Sequence, residues 1–361
     1  MTLFTPETGS YAPSPPLPQV GEAPPVTYSF VIPVYNEEEV LPELYRRMQT
    51  LIDELDGPSE VILIDDGSRD RSYPLMLELH TLDPRFKVVH FSRNFGKEVA
   101  VSAGLDLASG EAVVLLDADL QDPPELVKEM SAKWREGYDM VYAKRDRRIN
   151  ETWFKRTTSR MFYRTLRRIS DVDVPLDVGD FRLVDRRALD AFRSMRERNR
   201  YVRGMFGWIG FRQTGVSYVR PGRFAGQTKW PLSKLVRLAF DGIISFSTAP
   251  LRMVLQLGFL VSVASFAAGI VAIFIKLSGM YAISGWASIT VLMSFIGGVQ
   301  LTVLGVMGEY VGRIYEEVKQ RPLYLVRDLR GFGALDGAPN ALPIRPVPRP
   351  TPQPEASQTA R

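Results

Sequence analysis

The sequence predicts an α/β domain on a mostly parallel sheet, followed by an interfacial helix and a two-helix transmembrane hairpin. Three observations carry this reading. Strand-like apolar runs alternate with helix-period segments between residues 27 and 230. Two uncharged stretches follow, 253–275 and 277–308. Of 26 prolines, seven lie in positions 1–26 and seven in positions 337–361.

In chain order, residues 1–26 and 337–361 are too rich in proline and too poor in apolar mass to pack, so both read as disordered tails. The N-terminus has no charged region followed by an apolar run, and no signal peptide is expected. Residues 28–34 read as a strand and 37–55 as a helix with apolar spacing near 3.6. Residues 61–64 form a buried strand ending in Asp65-Asp66-Gly67-Ser68. Strand 86–91, helix 97–108, and strand 112–116 ending in Asp117-Ala118-Asp119 come next. Helix 124–136 and strand 140–142 complete the pattern. Ligands of such sheets sit beyond the carboxyl ends of the strands, where these acidic clusters fall.

Each uncharged stretch is long enough to cross a bilayer, which takes roughly 20 apolar residues. The spans are expected at about 253–275 and 287–308, joined by a turn at 279–285; a pair of helices in a soluble core is the alternative. Lys234, Arg237 and Arg252 precede the first span, and Arg313, Lys319, Arg321, Arg327 and Arg330 follow the second. The positive-inside rule puts the N-terminal domain and both termini in the cytoplasm, on a multi-pass inner-membrane protein. Residues 231–250 mix apolar and charged positions as a helix lying in the interface would, or as a plain amphipathic surface helix would. Residues 311–336 read as a cytoplasmic juxtamembrane segment. Gly297, Gly298, Gly305 and Gly308 permit close helix packing and predict a homo-oligomer.

Composition narrows the chemistry. The chain has 361 residues, no cysteine and two histidines, which excludes disulfides, a cysteine nucleophile and a multi-histidine metal centre. A net charge of +4 gives no case for nucleic acid.

Asp117, Asp119 and Gln121 are spaced i, i+2, i+4, so in extended chain they point to one side and can share an ion. Two carboxylates and an amide oxygen suit Mg²⁺ or Mn²⁺, with coordination positions left for substrate phosphates. The alternative is a helix N-cap ahead of Pro123-Pro124, a role Asp122 can fill. Asp65 and Asp66 suit hydrogen bonds from a nucleobase or ribose, although Asp-Gly after a strand is also a common turn. Lys97 opens a helix after Gly96 and suits a phosphate, or is a solvated lysine. Arg145, Lys155, Ser159, Arg223 and Lys229 suit an anionic lipid head group, or are ordinary positive-inside charge.

Six motifs occur together: Val31-Ile32-Pro33-Val34-Tyr35-Asn36-Glu37, Ile64-Asp65-Asp66-Gly67-Ser68, Ser92-Arg93-Asn94-Phe95-Gly96-Lys97, Leu116-Asp117-Ala118-Asp119-Leu120-Gln121-Asp122-Pro123-Pro124, Asp177-Val178-Gly179-Asp180-Phe181-Arg182-Leu183 and Gly226-Gln227-Thr228-Lys229-Trp230-Pro231-Leu232. In order and spacing they resemble family 2 glycosyltransferases, most of all the polyprenyl-phosphate group that includes bactoprenol glucosyltransferase and dolichol-phosphate mannose synthase. The likeness spans residues 27–325. It implies a GT-A fold and inverting transfer of one sugar from a nucleotide sugar, with UDP-glucose as the default, to a polyprenyl phosphate such as undecaprenyl phosphate. It further implies that Pro33, Tyr35, Glu37, Asp65, Asp66 and Lys97 hold the nucleotide sugar and that Asp117, Asp119 and Gln121 hold the metal. Arg145, Lys155, Ser159, Arg223 and Lys229 would clasp the acceptor phosphate, and Asp119, Asp180 and Asp177 would form the catalytic set. Thr228 stands where serine is more familiar, and Arg71 where a small residue is usual. Two rival readings are a processive polysaccharide synthase and a silent nucleotide-binding membrane scaffold. Two spans argue against the first, and the intact acidic triplet gives the second no support.

Overall fold

The computed structural model describes residues 26–145, 178–195, 197–219, 249–278, 285–333 and 336. The elements run β1 (Tyr28–Val34), α1 (Leu41–Glu54), β2 (Ser59–Asp65), α2 (Ser72–Leu82), β3 (Phe86–Phe91), α3 (Lys97–Leu107) and β4 (Ala112–Leu115). A 3₁₀ turn (Pro124–Leu126) leads into α4 (Val127–Arg135), β5 (Met140–Arg145), β6 (Val178–Asp185), α5 (Arg186–Ser194), α6 (Val202–Trp208) and β7 (Gln213–Tyr218). Two long helices, α7 (Ala249–Leu277) and α8 (Trp286–Lys319), precede β8 (Val326–Arg330).

All eight strands share one sheet, ordered β7-β5-β6-β4-β1-β2-β3-β8. The pairs β1–β2, β1–β4, β2–β3 and β5–β7 are parallel, while β4–β6, β5–β6 and β3–β8 are antiparallel. The expected mostly parallel α/β sheet is therefore present. Its central strands are apolar almost throughout because both faces are covered. Tyr28, Phe30, Ile32, Val61 and Leu63 enter one core, and Val31, Ile62 and Ile64 enter the other. The second core takes α3, which lies close enough to β1 that a Cβ on Gly104 would collide with Val31 Cγ1.

Several boundaries differ from the sequence expectation. Residues 38–40 form a turn, and α1 starts at Leu41 with proline in its first turn, where a missing N–H costs nothing. The expected 124–136 helix opens as the 3₁₀ turn. Helix α2 was not anticipated; it buries only Ser72 and Met76, too little for a clear apolar stripe.

The two long helices pack against each other. Within α8, the segment Phe295–Lys319 is long and apolar enough to cross a membrane, with mean hydropathy 1.3. The helix as a whole contains the expected span 287–308 and runs on to Lys319, ending at Gln320, a left-handed C-cap with φ 50°. Residues 231–248 and 279–284, which hold most of the expected interfacial helix and connecting turn, lie outside the described residues. The expected juxtamembrane segment 311–336 is divided between the end of α8 and β8. That strand runs antiparallel to β3 and buries Val326 and Leu329 in the second core.

Candidate active site

Antiparallel register brings two distant carboxylates together. The β4–β6 ladder pairs Leu115 with Arg182, and two residues further along each strand stand Asp117 and Asp180. Lys97, at the N-terminus of α3, reaches both. Its Nζ lies 2.7 Å from Asp117 Oδ1, 2.8 Å from Asp117 Oδ2 and 2.8 Å from Asp180 Oδ2. Arg203, in the first turn of α6, donates from Nη2 to Asp180 Oδ1 at 2.8 Å. Neighbouring Glu98 accepts a hydrogen bond from the Val202 backbone N–H at 2.9 Å, tying the start of α3 to the start of α6. Arg182 is buried beside this cluster, its guanidinium 4.8 Å from the Phe206 ring centroid.

The cluster sets its own protonation. Burial works against charge on Asp180, but Lys97 and Arg203 overcome it and hold the carboxyl well below the usual range. Burial likewise opposes the Lys97 ammonium, and Asp117 and Asp180 raise its pKa above that of an ordinary lysine. Asp117 shifts upward, through burial first and then the charges of Asp180 and Asp119, with Lys97 as the counterweight. Glu98 is also raised, by burial and then by Asp180. Burial pulls the Arg182 guanidinium down to about 10.

The acidic triplet does not lie on extended chain. Residues 118–120 form a turn in which Leu120 takes a left-handed φ of 54°, uncommon for a residue with a Cβ. The turn buries Ala118 and Leu120 and leaves Asp117 and Asp119 partly exposed. Asp119 Oδ1 accepts from the Gln121 backbone N–H at 3.1 Å, and among the described residues it has no cationic partner. The Gln121 side chain is 9% exposed, and among the described residues its amide has no hydrogen-bond partner. A partly exposed carboxylate without a cation among the described residues and the amide oxygen beside it are hard ligands that fit Mg²⁺ or Mn²⁺. Among the described residues no group of three histidines, cysteines or carboxylates forms a metal site, so the amide and incoming phosphates would have to complete one. Asp122 does not cap a helix: the cap position is Pro123, and Asp122 instead accepts a hydrogen bond from the Tyr218 hydroxyl. Tyr218 stands opposite Arg145 in the β5–β7 ladder. This places the Arg145 backbone on the same rim as the triplet.

The loops after β1 and β2 are stitched together. Asn36 N–H donates to Ser68 Oγ at 3.0 Å, Arg69 N–H to Asn36 Oδ1 at 2.8 Å, and Arg71 N–H to Glu38 Oε2 at 2.9 Å. Pro33 ends this region half-buried, Tyr35 is exposed, and the Glu37 N–H donates to Ser72 Oγ. Asp65 is fully buried, bound to His90 Nδ1 at 2.6 Å and to the Ser68 N–H at 3.1 Å. Asp66 accepts from the backbone N–H groups of Phe95 at 2.7 Å and Gly96 at 3.0 Å. Gly67, at φ 68°, lies against that loop, and a Cβ there would meet the Arg93 carbonyl carbon at 2.6 Å. Asp66 thus fixes the turn that presents Lys97.

The structure therefore brings Lys97, Asp117 and Asp180 into one cluster, with Asp119 and Gln121 on the adjoining turn. Lys155, Ser159, Asp177, Arg223 and Lys229 lie outside the described residues, and only the backbone of Arg145 is described. Arg203, Glu98 and Arg182 were not singled out from sequence. Arg203 sits in an arginine-rich stretch with no motif spacing, and only tertiary packing identifies it.

The sequence matches the family described as Glycosyl transferase family 2 over residues 29–193. It is 47% identical over 307 residues to the uncharacterized glycosyltransferase YkcC of Bacillus subtilis, spanning 85% of this chain and 95% of that one. It is 42% identical to the SfII prophage-derived bactoprenol glucosyl transferase of Shigella flexneri, over 83% of this chain and 97% of that one. A solved structure of glucosyl-3-phosphoglycerate synthase from Mycobacterium tuberculosis aligns with TM-score 0.44 and 20% identity, over 60% of this chain and 77% of that chain.

Proposed function

The chain belongs to glycosyl transferase family 2, and on that premise we propose that it transfers one sugar, with inversion, from a nucleotide sugar to a polyprenyl phosphate at a membrane surface. The observation that carries this is the cluster of Lys97, Asp117, Asp180 and Arg203 at the strand ends, beside the Asp119–Gln121 turn. Relatives named bactoprenol glucosyl transferase support the acceptor and make UDP-glucose the first donor to test. The two long helices support a membrane hairpin that keeps the sheet beside its lipid substrate, with the basic flanks in the cytoplasm.

The acceptor needs little activation. A phosphate monoester has a second pKa near ~6 and is already mostly anionic at neutral pH. Its oxygen attacks the anomeric carbon as the bond to the nucleotide diphosphate breaks. Asp180, with a cation on each oxygen, suits the task of fixing Lys97 and orienting sugar hydroxyls better than that of a base. Asp117, Asp119 and Gln121 would hold a divalent ion, which supplies charge neutralisation at the departing diphosphate. Arg145, Lys155, Ser159, Arg223 and Lys229 would hold the acceptor oxygen in line.

The test is to incubate membranes containing the protein with undecaprenyl phosphate and a panel of nucleotide sugars, and to analyse the lipid fraction by mass spectrometry. A single-sugar lipid phosphate from one donor is the expected product. A polymer, or no lipid-linked product from any donor, rejects the proposal.

A further inference from the structure

Lys97 and a divalent ion lay claim to the same two oxygens. One ammonium lies within hydrogen-bond distance of both Asp117 oxygens, at 2.7 and 2.8 Å. An ion bound to Oδ1 at about 2.1 Å would stand no farther than about 5 Å from Nζ, where two cations repel. Lys97 has somewhere else to go. It already touches Asp180 Oδ2, its side chain is 38% exposed, and Arg203 keeps Asp180 anchored through the other oxygen. A nucleotide diphosphate arriving here brings oxyanions that satisfy both the lysine and the metal.

We infer that Lys97 couples metal binding to nucleotide diphosphate binding: it guards Asp117 against a metal ion alone and yields those oxygens when the diphosphate arrives. The inference rests on the metal reading given above and deepens it, assigning Lys97 a part in the order of assembly. A lysine acting only as a phosphate ligand would strengthen nucleotide binding and leave the affinity for metal alone unchanged. Linkage requires the coupling to be reciprocal, and coupling between linked ligands typically spans about 5- to 150-fold.

The experiment is Mn²⁺ titration of the detergent-solubilised full-length protein, followed by electron paramagnetic resonance, with and without UDP. Wild-type protein is expected to bind Mn²⁺ at least about fivefold more tightly when UDP is present. Lys97→Gln is expected to bind Mn²⁺ alone about tenfold more tightly than wild type, with the UDP effect largely lost. Adding Asp117→Asn to that variant should remove the gain. If Lys97→Gln binds Mn²⁺ alone no more tightly than wild type, the inference is wrong while the metal reading stands. Should that variant fail to fold, wild-type affinities that are equal with and without UDP overturn the inference by themselves. No Mn²⁺ binding by the wild type even with UDP overturns the metal reading and this inference with it.

Discussion

Asp117 and Asp180 face each other across the open end of an antiparallel strand pair and share one lysine. The β4–β6 register, set by apolar residues such as Val113 and Leu183, decides this meeting. A slip of one residue would turn these side chains to the opposite face of the sheet. The position of the charges therefore follows from the packing of the core beneath them.

The pairing has a pH signature. A carboxylate whose folded pKa lies below its unfolded value stabilises the fold above the unfolded value, and that contribution fades as pH falls toward the folded one. Asp180 is such a group, with an unfolded value near ~3.9. Asp180→Asn should lower the melting temperature by the same amount at every pH from 8 down to 5. A gap that widens as pH falls from 7 to 5 would show that Asp180 in the folded protein titrates above the ordinary carboxylate range.

Asp119 separates chemistry from stability. Its one hydrogen bond among the described residues goes to the Gln121 N–H. Asp119→Ala should cost about 1 kcal/mol or less in stability yet abolish sugar transfer in membranes. Wild-type turnover by this variant in chelator-treated membranes would refute its metal role.

Asp66 is expected to act on the site through backbone. Asparagine would present an N–H₂ to one of the two N–H donors of Phe95 and Gly96 that the carboxylate now satisfies. Asp66→Asn should cost about 1.5–3 kcal/mol and weaken UDP binding, because the turn before Lys97 loosens. Calorimetric titration with UDP, paired with thermal melts, checks both. Unchanged UDP affinity and melting temperature would mean the turn does not depend on this carboxylate.

The last strand can be tested with two leucines. Leu329 is fully buried and Leu325 is 50% exposed. Leu329→Ala should destabilise by about 2–5 kcal/mol, whereas Leu325→Ala should stay within about 0.5 kcal/mol. Equal losses in a denaturation series would mean that β8 does not pack as described.

The central strands and the acidic turns were legible because their signals are local. Val61 to Ile64 is an uninterrupted apolar run, and carboxylates cluster directly after it and after β4. Arg203 was not legible, because its partner is chosen by how α6 packs near α3. Strand β8 was missed for a related reason: Val326 and Leu329 are its only apolar residues, set among charges that read as juxtamembrane. The triplet was found with the wrong backbone. Spacing alone does not distinguish extended chain from a turn with one left-handed residue, and Leu120 gives no hint of a positive φ.

The antiparallel pairing of His90 with Asp328 bears on how the protein is made. On the ribosome, β3 emerges long before its outer neighbour, and both long helices must be synthesised in between. Until then the β3 edge carries unpaired backbone groups open to other chains. The edge of β3 is thus covered only after both helices have been synthesised. A chain stalled at that stage would retain an edge open to pairing with other chains.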